Sequence, residues 1–425
     1  MIVYITAKAP YGQLGEAYIL PEMSAIKEKG MELLIFPRDR SDELFHTSAK
    51  HLLDNTLSCP IMDLAIAKSF LKTVFQRPLL FLDIISNIVL LSRNIQIALK
   101  NLIVLPKSIY LSGILRKKKI LHIHAHYGST TSTMAYIISR FTGIPWSFTV
   151  HRWDIPENNL LGLKCKNAAF VRAIDKKGRE EVIGIVNESP QTDRIKVIHV
   201  GVNVDCSRKE AETGQRAFTF LCPAMFVLKK GHKYLFEACK LLLNKGLKFK
   251  CLVAGDGPLK EEFRSMVSTL ELKGNIDFLG PLSQESIFDL YQRGRIDAVV
   301  LPSIVTEDGE KEGIPVALME AMAYAIPVVS TNTGGIPELL GDGSGILVKE
   351  KDPVSLAISI EKLMSDRAYC GVLGEKGRMK VEKDFNISII SNQLLSLFMP
   401  EAGGMLEYNK VKHIKSVFAG QNNVF

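Results

Sequence analysis

The stretch from Thr306 to Leu340, TEDGEKEGIPVALMEAMAYAIPVVSTNTGGIPELL, decides the fold. Glu312 and Gly313 stand before Ile314 and Pro315, and proline suits the first position of a helix, where its missing N–H costs nothing and its φ is already helical. The pattern therefore predicts a helix from Pro315 through Tyr324, rich in strong helix formers and stopped before Pro327. Val328 to Thr331 then reads as a short β-branched strand. Free N–H groups at the start of the helix favour an anion, and Gly313 lets a ligand approach the backbone closely. Glu312 lies at the anion end, and Glu320 lies about 8 Å further along at roughly 1.5 Å per residue. Taken singly, each glutamate reads equally as a helix cap or a solvated surface carboxylate.

A ligand with hydroxyls on both sides of a phosphate suits two carboxylates so spaced, and a nucleotide sugar is such a ligand. The whole string, EGIPVALMEAMA with its E-x7-E spacing followed by PVVST and GGIPEL, resembles the donor-site signature of the retaining glycosyltransferases of family 4 type, which have the GT-B fold. The resemblance implies an α/β chain with two doubly wound, Rossmann-like domains facing across a cleft. It also implies that Glu320 holds the ribose hydroxyls of a nucleotide sugar, and that Glu312 and the Gly313-Ile314 backbone meet the transferred sugar. It covers most of the chain from Leu121 to about Phe385.

The bulk properties fit. A chain of 425 residues is long enough for two separate cores, and 47% hydrophobic with 23% charged residues is a globular composition. The net charge of +8 suits an anionic ligand or an anionic membrane surface, and nothing points to nucleic acid. Seven cysteines without a CxxC pair suggest neither a disulfide framework nor a zinc site, so a reducing cytoplasm is expected. MIVYITAKAP is too short an apolar run for a signal peptide, and no stretch of eighteen or more apolar residues is expected to span a bilayer.

In the first half, Ile2 to Thr6, a turn-rich segment, a helical pattern to Lys29 and a strand at Glu32 to Phe36 make the opening of a doubly wound sheet. In the resembled family the turn carrying Gly15 and Glu16 faces the cleft on the acceptor side. From Leu79 to Leu105 the chain is mostly apolar and ends in the basic run Arg116 to Lys119. It reads either as a face lying on an acidic membrane or as buried helices with a solvated basic turn. Ile120 to His124 is a predicted strand with His126 just past it, in a position to face a cleft; no carboxylate or cysteine nearby completes a metal set with these histidines. Trp146 to Val150 delivers His151, Arg152 and Asp154 to the same edge. HAHYG and GIPWSFTVHRWDI resemble polysaccharide-assembling members of the family, which implies His151 at the reaction centre beside the transferred sugar and the acceptor; Asp154 reads either as an acceptor-side partner or as a helix cap.

A polar segment after Asp205 marks a linker, and RIKVIHVGVNVD resembles a GT-B hinge. The expected division is 1–205 for an acceptor-binding domain, 206–385 for a nucleotide-sugar domain, and 386–425 for a helix crossing back and a tail. Lys230 before Gly231 puts a cation at a helix start, which the macrodipole disfavours unless an anion lies between them. LKKGHKYLFEA resembles the family's diphosphate-gripping loop, with Met225 where an arginine is usual and Lys229 as the substitute cation. GDGP lacks the third glycine of a dinucleotide fingerprint.

These readings together predict a metal-independent hexosyltransferase without a cofactor, moving a sugar with retention from a nucleoside diphosphate sugar to a glycan or lipid-linked acceptor. Bacterial exopolysaccharide or lipopolysaccharide synthesis is the expected setting, in the cytoplasm or peripherally on the inner face of the cell membrane. A nucleotide-sugar hydrolase or epimerase, and a weakened binding subunit, remain the alternatives.

Overall fold

The computed structural model describes residues 1–11, 16–39, 44, 46–186, 190–207 and 216–399. Six strands form the first sheet: β1 (Ile2–Thr6), β2 (Leu33–Pro37), β3 (His122–His126), β4 (Trp146–Val150), β5 (Phe170–Ala173) and β6 (Ile195–Val197). Six more form the second: β7 (Phe218–Pro223), β8 (Phe249–Ala254), β9 (Ile276–Gly280), β10 (Ala298–Leu301), β11 (Val328–Thr331) and β12 (Ile346–Val348). The orders are β2-β1-β3-β4-β5-β6 and β12-β11-β10-β7-β8-β9, and every pairing is parallel. Parallel strands need helical crossovers that cover both faces, so their residues are buried throughout rather than in alternation. The five residues of β1, β3 and β4 are all buried. Loops therefore gather at the carboxyl edge of each sheet, where ligands collect in open α/β folds.

Three expectations change. Pro315 is the N-cap of the helix Val316–Ala323 rather than its first residue, with φ −69° and ψ 118°. Proline's fixed φ suits both positions, and only ψ, which the ring leaves free, decides between them. His126 is the last residue of β3 rather than a loop residue, because it is still in register with Thr149. Contrary to expectation, the helices Ile95–Ile103 and Leu105–Leu115, joined through Val104, make a 21-residue helical run long and apolar enough to cross a bilayer by length and composition. Within it, 56% of the apolar window is buried in the protein. Its Lys107 is buried too and donates to the carbonyls of Pro37, Arg38 and Cys59, which keeps the ammonium solvated by backbone.

The chain returns to the first half at its far end. Val202 donates to the Phe385 carbonyl and Ile387 donates back to Val202, both at 2.9 Å. The helix Ile387–Phe398 then packs on the helix Leu20–Glu28, and Phe398 meets the rings of Tyr4, His122 and His124.

Candidate active site

Three glutamates are among the described residues that join the halves. Glu181 takes Arg152 Nη2 at 3.0 Å and Lys311 Nζ at 2.9 Å. Glu338 accepts from the Lys176 N–H at 2.9 Å and lies 2.8 Å from His199 Nε2. Glu285 accepts from the Ser48 N–H at 2.9 Å. Between the halves lies a cavity of about 350 Å³, lined by Tyr18, Ser24 and Ser48 on one side and Gln284, Glu320 and Tyr324 on the other.

On the second-half side, the helix His232–Asn244 starts from Gly231, whose φ is +69°. A Cβ there would stand 1.9 Å from the Pro302 carbonyl oxygen, so the position requires glycine. Neither this helix nor Val316–Ala323 has a side-chain N-cap, which leaves the positive ends of two helix dipoles without a carboxylate or hydroxyl of their own. Lys230 Nζ lies 2.9 Å from Glu312 Oε1, so the cation and the carboxylate read separately in the sequence neutralise each other here. Lys229 lies 3.6 Å from Glu310, and Met225 is exposed. Gly334, at φ +60°, would place a Cβ 2.0 Å from the Glu312 carbonyl, and the Gly335 N–H donates to that carbonyl at 3.2 Å. The paired glycines thus clamp the Glu312–Gly313 backbone. Gly313 itself faces the first half: its Cβ would meet Arg152 Cγ at 3.1 Å and Ile174 Cδ1 at 3.2 Å. Ile314, beside it, is buried. Glu320 accepts a hydrogen bond from Gln284 Nε2; burial pushes its pKa up to about 7, against the pull of that bond.

On the first-half side, His151 follows β4 and is buried, with Nδ1 3.5 Å from the Tyr18 hydroxyl, which donates to Tyr127 at 2.9 Å. Its Nε2 has no protein partner. Burial, then the nearby charges of His126 and Arg172, hold its pKa well below the usual range, so the ring is neutral at pH 7. Asp154 is fully buried and accepts from the His151 N–H at 2.8 Å, while burial pushes its pKa up to about 7. It shapes the turn that presents His151 instead of facing an acceptor directly. His126 also differs from its expected cleft position: it is buried with Nε2 3.2 Å from Glu22. Glu22 in turn accepts from the Tyr4 hydroxyl at 3.0 Å and pairs with the fully buried Arg172, which donates onward to the Ile198 and His199 carbonyls. Glu16 accepts from the backbone N–H groups of Ala7, Lys8 and Ala9, bracing the loop after β1. Gly15 lies outside the described residues.

Folding brings Glu22 to the two strand histidines, the carboxylate that the local sequence lacked; ligand atoms of Glu22, His124 and His126 lie within 4.8 Å of one another. These atoms already have protein partners. His124 Nδ1 and Nε2 lie 2.8 and 2.9 Å from Ser147 Oγ and Thr149 Oγ1, and a cation would compete with the Arg172 guanidinium for Glu22.

Residues 203–380 match the family described as Glycosyl transferases group 1. They form a group 1 glycosyl transferase domain. The chain is 34% identical over 208 residues to WcaL of Escherichia coli, whose name refers to colanic acid biosynthesis, covering 48% of this chain and 51% of WcaL. It is 33% identical over 207 residues to the amylovoran biosynthesis glycosyltransferase AmsK of Erwinia amylovora, covering 48% and 50%. The chain thus matches about half the length of these relatives. Sucrose-phosphate synthase of Thermosynechococcus elongatus superposes with a TM-score of 0.70 at 16% identity, over 94% of this chain and 98% of that one. HepE of Anabaena in complex with UDP gives 0.67 at 15%, over 92% and 98%. The fold is GT-B.

The group 1 domain holds Lys230, Gly231, Glu312, Gly313, Ile314 and Glu320, all inside the match. Sequence reasoning missed Gln284 on Glu320, Glu338 on His199 and Lys176, the Glu22–Arg172 pair and the stacked Trp153. Glu338 stands in the quoted GGIPEL string, but its partners are more than a hundred residues away, and no spacing announces them. A buried arginine in β5 flanked by apolar residues was the available signal for a hidden acidic partner.

Proposed function

We propose that the protein transfers a sugar from a nucleoside diphosphate sugar to a hydroxyl of a glycan or lipid-linked acceptor, with retention, in the assembly of a bacterial surface polysaccharide. The observation that carries this reading is the Lys230–Glu312 pair beside uncapped helix starts, with Glu320 in the cavity between the halves. An arriving diphosphate takes Lys230 and the helix N–H groups, which stabilise the charge that develops as it leaves. Glu312 is thereby released to accept from a hydroxyl of the transferred sugar. Ionised Glu320 accepts from the ribose hydroxyls, and neutral His151 offers Nε2 to the sugar or the incoming hydroxyl. In this scheme residues 1–205 serve the acceptor and 206–385 the donor, and the leaving charge is met by side chains and dipoles rather than by a resident metal.

The names of WcaL and AmsK, which refer to colanic acid and amylovoran, support the polysaccharide setting. HepE, solved with UDP, supports the donor class. Calorimetric titration with UDP, GDP and ADP, with and without magnesium, tests the donor site. Binding of one nucleotide without metal, weakened about tenfold or more by Lys230→Ala and by Glu320→Ala, is the expected result. No binding of any of the three overturns the reading.

The acceptor side is proposed to lie on an anionic membrane. The helices Leu64–Gln76 and Pro78–Leu91 bend by 107° at their junction and leave Phe75, Leu79 and Leu90 82%, 82% and 76% exposed. Between residues 64 and 119 the chain carries ten Lys or Arg and one acidic residue, Asp83, which Arg140 pairs at 2.9 Å. Lys72, Arg77, Arg93 and Lys100 are exposed among the apolar side chains. Such a surface gains both apolar burial and anionic lipid contact. Sedimentation with phosphatidylglycerol vesicles, absent with phosphatidylcholine and lost in the Phe75→Glu, Leu79→Glu double variant, is expected. Equal sedimentation with both lipids, or none, refutes the contact.

A further inference from the structure

The chain has two tryptophans, and they are used oppositely. Trp146 is 2% exposed and stacks on Phe148 in the core, whereas Trp153 is 48% exposed. An indole left in water forgoes one of the largest apolar gains a side chain offers. Trp153 is nevertheless held. Its ring lies nearly parallel to His151, at 5.6 Å and 18°, and to Tyr127, at 5.6 Å and 25°. The next residue, Asp154, is tied to the His151 N–H.

The place is as informative as the rigidity. Lys229, from the opposite half and adjacent to the Lys230–Glu312 pair, brings its Nζ within 5.9 Å of the indole centroid. His151, stacked against the same indole, is buried and has Nε2 without a protein partner. A half-exposed indole, an unpaired ring nitrogen and a cation lying over the indole thus meet at the seam between the halves.

We infer that Trp153 is the stacking platform for a pyranose ring of the acceptor, an inference that rests on the glycosyltransferase reading above. A pyranose presents axial C–H groups on one face and hydroxyls around its rim. The polarised C–H groups match the negative face of the indole and replace the Lys229 ammonium that lies over it, and the hydroxyls find an acceptor or donor in His151 Nε2 and a donor in the displaced Lys229 Nζ. A pre-oriented ring loses little entropy on binding, which is what stacking on His151 and Tyr127 secures. Glu320 and its cavity, which serve the nucleotide in this scheme, lie elsewhere: Trp153 is not among the cavity-lining residues.

Acrylamide quenching of the intrinsic fluorescence reads this directly, because Trp146 is buried and Trp153 supplies the accessible signal. With UDP present, at least one of methyl β-glucoside, β-galactoside, α-mannoside and α-rhamnoside is expected to protect Trp153, reducing the quenching constant about twofold. Calorimetry of that glycoside with Trp153→Ala is expected to show a loss of about tenfold or more in affinity, and with Trp153→Phe a loss of about threefold or less. UDP affinity stays within about twofold of wild type in both variants. Protection by none of the four glycosides at roughly 100 mM, or full affinity in Trp153→Ala, overturns the subsite. Weakened UDP binding in Trp153→Ala also overturns it, by assigning the indole to the nucleotide. Failure of wild type to bind any nucleotide refutes the donor reading itself and is seen before a glycoside is added.

Discussion

The two sheets solve the same burial problem with different chemistry. The second sheet is packed by apolar strands: FTFLCP in β7, FKCLVA in β8 and AVVL in β10. The first threads a polar seam through its centre, with His122, His124, Ser147 and Thr149 buried side by side and Glu22, Arg172 and His126 joined beneath them. A buried apolar contact tolerates modest change. A buried charge does not, because removing one partner strands the other in low dielectric. The second half is therefore robust and generic, while the first half is individual and brittle.

The sharpest way to break the comparison is Arg172→Met. It leaves Glu22 buried without its main counter-charge, and we expect a loss of about 3–5 kcal/mol in chemical denaturation. Leu301→Ala in the second sheet, a cavity substitution, is expected to cost about 2–5 kcal/mol, without the acid sensitivity described next.

Burial alone raises the Glu22 pKa, but Arg172, and then His126 with its hydrogen bond, overcome that and hold it well below the usual 4.5. A depressed carboxylate stabilises the fold above its unfolded pKa, and the contribution disappears as pH falls through the folded value. Both tryptophans lie in the first half. On acidification below about pH 4, tryptophan fluorescence is expected to report unfolding before far-ultraviolet circular dichroism does. Coincident transitions would remove the asymmetry between the halves.

Glycine geometry provides a smaller break in the second half. Gly231→Ala forces a side chain into a positive φ and against Pro302, with an expected cost of about 1–3 kcal/mol and loss of detectable nucleotide binding by calorimetry.

Glu320→Gln sharpens the comparison because stability and function move in opposite directions. The folded pKa of about 7 exceeds the ordinary 4.5, so the wild type loses stability as pH rises between those values. Above pH 7 the variant is expected to be about 1–3 kcal/mol more stable by thermal unfolding, and to bind the nucleotide about tenfold more weakly. Wild-type nucleotide affinity itself should rise with pH through about 7, since only the carboxylate accepts two hydroxyl protons. The smallest effect is at the apolar surface, where Leu79→Glu should change stability by no more than about 0.5 kcal/mol.

Legibility follows the same divide. In the second half the site is built from residues close in sequence: Glu312 to Glu320 on one loop and helix, and Lys230 beside Gly231. Their spacing, read with proline, glycine and β-branched signals, announced β10 to β11 and the helix between them to within a residue, with Pro315 and Tyr324, which cap the helix, each assigned one position too far into it. In the first half the strands were legible with looser ends, β3 being placed two residues early, and His126 and Asp154 were read as facing a ligand. Each is buried against a partner whose importance appears only after folding, Glu22 in one case and the turn carrying His151 in the other.

The sequence by itself determined the alternation of strands and helices, the two-sheet α/β architecture and the anion-favouring helix start after Gly313. All of these depend on local periodicity, helix and strand termini, and short spacings that persist whatever the rest of the chain does. Only the tertiary structure decided that Lys230 is neutralised by Glu312 across eighty-two positions, that Gln284 caps Glu320, and that Trp153 stays in water beside a buried histidine. Charge pairing and burial are properties of neighbours in space, and a linear pattern carries no record of which distant residue will be the neighbour.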